Sequence, residues 1–147
     1  MANHNQTQLL REGLRTLVRK LGVLERGEAS CCGITLSQCH TIVEIGRAGT
    51  MSANLLTEIL GVDKSTVSKS IDKLVNNEFL VRDSDPEDGR SVILRLSDKG
   101  QLAFEEIEKR ATIYFGEVVA DIPDDKREQV IESLQYLAQA LKDPRCC

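Results

Sequence analysis

The feature that most constrains this chain is a change of hydrophobic period midway along it. From Ser52 to Asn76 the apolar residues recur at helical spacing in two short runs, interrupted at Gly61-Val62. Ser52 is placed to cap a helix from Ala53 to Leu60, and Gly61 is a natural residue just past its end. Asp63 can cap a second helix from Lys64 to about Asn76, with an apolar face of Val67, Ile71, Leu74 and Val75. Two short helices joined by a tight glycine-containing turn make a helix-turn-helix. The period then shortens: Phe79–Ser84 and Ser91–Leu96 read as strands around the polar turn Asp85-Pro86-Glu87-Asp88-Gly89-Arg90. A hairpin directly after a helix-turn-helix is a winged helix.

The flanks are helical. Leu9, Leu10, Leu14, Leu17, Val18, Leu21 and Leu24 form one stripe, with Arg11, Arg15, Arg19 and Lys20 outside it, and Gly27 with the segment to Gly33 is expected to break that helix. A second helix is expected from Thr35 or Ser37, ended by Gly46 and Gly49. Ser97 is the expected cap of a helix running through Leu102, Ile107, Ala111 and Phe115 to about Val119. Pro123 and the acids beside it signal a last helix that carries Val130, Ile131, Leu134, Leu137, Ala138 and Leu141 and ends at Asp143-Pro144. So many apolar helix faces exceed what a small domain can cover, and a second copy related by twofold symmetry is the economical cover. The expected fold is mainly α with a small β-hairpin wing. An N-terminal dimerisation helix and cysteine-containing loop (1–33) precede the winged helix (34–100), and C-terminal dimerisation helices (101–147) follow it.

Composition sharpens this. The chain has 147 residues, an apolar fraction of 41% and no Trp, so its core must be aliphatic. No apolar run approaches the roughly 20 residues of a membrane span. The polar start Met1-Ala2-Asn3-His4 shows no secretory core, so a cytosolic location without a membrane partner is expected. Net charge is −4, which does not favour nucleic acid on average; binding would need cations gathered locally. Between Arg47 and Arg90 the six basic residues (Arg47, Lys64, Lys69, Lys73, Arg82, Arg90) face eight acids, half of them Asp83, Asp85, Glu87 and Asp88.

Residues Asp63-Lys64-Ser65-Thr66-Val67-Ser68-Lys69-Ser70-Ile71-Asp72-Lys73-Leu74, the wing Asp85–Arg90 and the exit Leu94-Arg95-Leu96-Ser97-Asp98-Lys99-Gly100 carry a resemblance. With the order of the flanking helices, they resemble the MarR/SlyA family of bacterial winged-helix transcriptional regulators. The resemblance implies a homodimer on a pseudo-palindromic double-stranded DNA operator, the Lys64–Asn76 helix in the major groove and the wing along the backbone or minor groove. Residue chemistry suits those roles. Ser65, Thr66, Ser68 and Lys69 occupy the first turns, from which base edges are reached. Lys64 and Lys73 suit phosphates, and Ser52 presents a helix start to another phosphate. Arg90 suits minor-groove insertion, with Asp88 orienting it as the family's Asp-x-Arg suggests. Two departures stand out: Lys69 where the family often has Arg, which loses bidentate geometry, and Glu78 where it tends to have Gly. Asn77 is the residue expected to supply the left-handed cap instead.

The family leaves the signal open, and the cysteines bear on it. Five is an odd number, and Cys31, Cys32, Cys39, Cys146 and Cys147 are candidates for a thiol sensor. Cys31, Cys32 and Cys39 would suit a soft effector such as Cu(I) or As(III), or oxidation to a disulfide. Equally, Cys39 packs in the core and the rest are inert, and a small aromatic or other organic ligand is the effector. No cofactor is required. No glycine-rich phosphate loop, GxSxG or HExxH motif supports an enzyme. The alternative of a different class is a winged helix used as a protein-interaction module without DNA binding.

Overall fold

The computed structural model describes residues 1, 3–29 and 34–141. Among the described residues six α-helices and three short strands follow one another: α1 (His4–Ala29), α2 (Leu36–Ala48), β1 (Thr50–Ser52), α3 (Ala53–Leu60), α4 (Lys64–Asn76), β2 (Leu80–Ser84), β3 (Val92–Leu96), α5 (Asp98–Asp121) and α6 (Arg127–Ala140). A single 3-10 turn, Asp124–Lys126, leads into α6. The winged helix expected from the sequence is present, with its elements in the expected order. The chain divides into two compact units, Met1–Glu108 and Lys109–Cys147.

Three expected helix boundaries moved, one of them at the end of α6, which stops at Ala140 with Leu141 already extended rather than running to Asp143. α1 does not break at Gly27 but continues to Ala29. An isolated glycine costs a helix only about 1 kcal/mol, which neighbouring helix formers such as Glu25, Arg26 and Ala29 offset. Gly46 lies inside α2 rather than at its end, and its bareness has a packing reason: a Cβ there would sit 2.5 Å from the Phe104 ring. The helix stops at Gly49, whose N–H donates to the Ile45 carbonyl at φ +80. At the other end Thr35 and Gln38 form a capping box.

β1 is too short for alternation to show in the sequence, yet it sets the sheet order β1-β3-β2. Met51 pairs with Leu94 on one side of β3, and Arg82 pairs with Leu94 on the other, both antiparallel. The core of the first unit gathers Ile42, Ile45, Leu56, Leu74 and Leu94, all fully buried, with Val67, Ile71, Phe79, Leu80 and Ile107 around them. It is mainly aliphatic, as the composition leads one to expect, with Phe79 the aromatic member. The buried polar residues are satisfied. Thr41 donates its hydroxyl to the Ser37 carbonyl (2.9 Å), and the Ser37 and Ser70 hydroxyls meet at 3.0 Å, joining α2 to α4.

The closure of α4 differs from expectation. Asn77 is not left-handed (φ −88); Glu78 takes that conformation itself, at φ +65. The start of α5 then holds the turn. The Ser97 hydroxyl donates to the Glu78 carbonyl, the Ser97 N–H donates to the Phe79 carbonyl (3.0 Å), and Lys99 Nζ donates to the Asn77 carbonyl (2.8 Å) while lying 4.4 Å from the Phe79 ring centre. Ser97 also caps α5, accepting from the Gly100 N–H at 3.0 Å. Gly100 is required there because a Cβ would come 2.0 Å from the Phe79 carbonyl oxygen. A long-range contact thus fixes Glu78, which is why local residue preference misassigned it.

In the second unit, Arg127 ties the 3-10 turn to the end of α5, donating to the Val119 (2.9 Å), Ala120 (3.3 Å) and Ile122 (3.1 Å) carbonyls and pairing with Asp124. Tyr114 and Phe115 meet edge to face. Among the described residues, no helix is long and apolar enough to cross a membrane.

Candidate nucleic-acid interface

The two helices of the helix-turn-helix begin on side-chain caps. The Ser52 Oγ accepts from the Leu55 N–H at 3.1 Å, and the Asp63 carboxylate accepts from the Thr66 N–H at 3.0 Å and the Thr66 hydroxyl at 2.6 Å. Between them Gly61 turns the chain in the left-handed region, φ +64. These bonds assign the hydroxyls. Ser52 uses a lone pair for capping, which leaves its O–H as a donor. The Thr66 hydroxyl donates its one hydrogen bond to Asp63, so it locks the cap and has no second O–H to offer. The Thr66 side-chain and backbone hydrogen bonds hold the Asp63 carboxyl below the usual aspartate range.

Burial divides α4 into two faces. Val67, Ser70, Ile71 and Leu74 point into the core, while Lys64, Ser65, Thr66, Ser68, Lys69, Asp72 and Lys73 are exposed. The sequence candidates on this helix therefore lie together on the face away from the core, presenting the Ser65 and Ser68 hydroxyls and three ammonium groups. The 3.6-residue period dictates that division.

The wing presents its candidates at the loop 85–91. Asp88 Oδ1 accepts from the Arg90 N–H (3.0 Å) and Oδ2 from the Ser91 hydroxyl (3.2 Å). Asp88 thus orders the backbone that carries Arg90. Asp85 does the same for the front of the loop, accepting from the Glu87 N–H at 2.9 Å. Two acids counted against DNA binding are therefore turn-formers whose charge is partly spent on backbone N–H groups. Others are neutralised by partners far away in sequence. Asp72 pairs with Arg82, and Asp83 pairs with Arg95 at 3.0 Å. Arg47, one of the six cations, faces Glu108 at 3.6 Å. Counting along the sequence misses these pairs, because 10 and 12 residues separate the first two; the packing of β2 beside α4 brings Asp72 to Arg82, and the β2–β3 hairpin brings Asp83 to Arg95.

Of the cysteines, only Cys39 falls among the described residues; it is 4% exposed and belongs to the core cluster. Cys31, Cys32, Cys146 and Cys147 lie outside the described residues. Among the described residues, no three His, Cys, Asp or Glu side chains gather to hold a metal.

Residues 34–92 match the family model described as the MarR family. The chain is 25% identical over 105 residues to the uncharacterized HTH-type transcriptional regulator YdgJ of Bacillus subtilis, covering 71% of this chain and 64% of that protein. It is 25% identical over 115 residues to the HTH-type transcriptional regulator BilQ of Clostridium symbiosum, covering 78% and 79%. A crystal structure of Streptococcus pneumoniae FabT in complex with DNA superposes with a TM-score of 0.79 at 23% identity, covering 90% of this chain and 95% of that one. The resemblance seen in the wing and the helix-turn-helix is borne out.

Proposed function

From the premise that the winged-helix segment 34–92 belongs to the MarR family, we propose that this protein is a cytosolic, homodimeric transcriptional regulator. It binds a pseudo-palindromic double-stranded DNA operator, acts as a repressor, and is released by an effector. The observation that carries the reading is the exposed face of α4. Lys64, Ser65, Ser68, Lys69 and Lys73 stand clear of the core on one helix, with Arg90 on the ordered wing beside it. A helix of this kind fits the major groove, with Ser65, Ser68 and Lys69 reaching base edges and Lys64, Lys73 and the Ser52 O–H on phosphates.

Dimerisation is supported by apolar surface. In the single chain Leu9, Leu10, Leu17, Val18 and Leu21 of α1 are exposed, as are Ile113, Phe115, Val130, Ile131 and Leu134 toward the C-terminus. Leaving so many aliphatic side chains in water is unfavourable by about 25 cal/mol for each Å². A second copy covering them places two α4 helices on half-sites roughly 34–36 Å apart, one turn of DNA. An effector that changes that spacing weakens both contacts together. Cys39, being in the core, supports the packing role over the sensor role for that thiol.

The test is a titration against the promoter of the protein's own gene at fixed salt, run reduced, with oxidant, and with arsenite or Cu(I). Saturable binding that weakens in Lys69→Ala and Arg90→Ala variants is expected. Full binding by the double variant would overturn the contact surface, and no specific binding in any condition would favour a protein-interaction module. Release by a thiol-directed agent alone would make the cysteines the sensor. Indifference to all of them would point to an organic ligand.

A further inference from the structure

A groove of about 260 Å³ separates α4 from the hairpin, lined by Ala53, Ser68, Ile71, Asp72, Arg82 and Val92. Side chains do not fill the space between helix and wing here. What spans it is an ion pair: Arg82 Nη2 donates to Asp72 Oδ1. With side chains 41% and 62% exposed, this pair adds little to folding stability. Its position is more informative. Arg82 is the third residue of β2, three before the start of the wing loop that carries Arg90. The next residue, Asp83, is tied to Arg95 of β3, so the hairpin is braced internally. At their buried ends α4 and the hairpin share the core through Ile71, Leu74, Leu80 and Leu94, and across the groove the Asp72–Arg82 pair ties them.

We propose that Asp72 and Arg82 are positioning residues that set the angle between the recognition helix and the wing, so that Arg90 meets DNA while α4 occupies the major groove. The pair has a second effect. Asp72 lies three residues from Lys69 and beside Lys73 on the exposed face, where a bare carboxylate repels phosphate, and the Arg82 guanidinium neutralises it. The inference rests on the DNA-binding reading above and assigns to these two residues a role in it.

The test uses the full chain and a duplex selected by it from a randomised DNA pool. Affinity is titrated for wild type, Arg82→Gln, Asp72→Asn, Arg90→Ala and Arg82→Gln/Arg90→Ala, with hydroxyl-radical footprints of each complex and a thermal melt of each protein. Arg82→Gln and Asp72→Asn are each expected to bind roughly three- to tenfold more weakly. Each should lose protection of the groove under the wing, keep it under α4, and melt close to wild type. In the Arg90→Ala background, Arg82→Gln should cost less than about twofold, because a strut acts only through what it positions. Stronger binding by Asp72→Asn would show a freed Arg82 contacting phosphate itself and would overturn the proposal, as would full multiplication of the Arg82→Gln and Arg90→Ala losses. Failure of the wild type to retain any duplex would overturn the DNA reading and this inference with it. Wild-type binding with multiplying losses overturns this inference alone.

Discussion

Glu78 offers a substitution that should stabilise the protein. It closes α4 at φ +65, where an L-residue with a Cβ is disfavoured by about 1–2 kcal/mol. Its fixed contacts are made by the backbone: the N–H donates to the Val75 carbonyl at 3.0 Å and the carbonyl accepts from the Ser97 hydroxyl. Glycine keeps both bonds and relieves the strain, but gives the unfolded chain more entropy, worth roughly 0.5–1 kcal/mol. The difference is a gain of about 0.5–1 kcal/mol for Glu78→Gly. Gly61 supplies the mirror experiment: it sits at φ +64 with nothing within 4 Å of an added Cβ, so Gly61→Ala isolates the backbone penalty and should lose about 1 kcal/mol. Glu78→Ala separates loss of the carboxylate from relief of the backbone and should be near neutral. Urea unfolding followed by circular dichroism, at one protein concentration, reads all three. At this chain length each kcal/mol corresponds to roughly 2–4 °C in Tm. A loss of stability in Glu78→Gly, or a gain in Glu78→Ala equal to that of the glycine variant, would refute the strain argument.

Three further outcomes are expected. Gly100→Ala would press a Cβ to 2.0 Å from the Phe79 carbonyl oxygen, a rigid neighbour, so it should cost about 3 kcal/mol or more; an unchanged urea midpoint would contradict the close packing of α5 on the end of α4. The Asp63 carboxyl is held below its ordinary range, so the stabilisation it adds is full above about pH 4 and fades as pH falls through the lowered folded value. The stability gap between wild type and Asp63→Ala should therefore be open at pH 7 and narrow in acid, and a gap of constant size would exclude the ionised cap. Lys73→Ala, which removes a phosphate contact from each half of a dimer, should flatten the dependence of operator affinity on salt by about two in log–log slope. An unchanged slope would remove Lys73 from the phosphates.

Much of the winged helix was legible because its signals are local. Asp63 caps α4, Gly61 turns between the helices, and Val67, Ile71 and Leu74 mark the buried face, so the exposed row of Lys64, Ser65, Ser68, Lys69 and Lys73 follows from the helical period alone. The wing loop was readable for the same reason, since Asp85 and Asp88 bond backbone groups two residues away. β1 was not readable, because three residues carry no period and the strand exists only by pairing with β3.

Charge shows the boundary most clearly. The sequence by itself determined the types, the N-terminal caps and the faces of the helix-turn-helix, all set by interactions within about four residues. The tertiary structure decided which charges remain available. It removed Arg82 and Asp72 from the count as a pair, braced Asp83 with Arg95, and placed Glu78 where Ser97 and Lys99 could hold its turn. It also buried Cys39 in the core. Ion pairs and burial depend on distance in space, and a linear chain specifies that distance only once the strands have paired and the helices have packed.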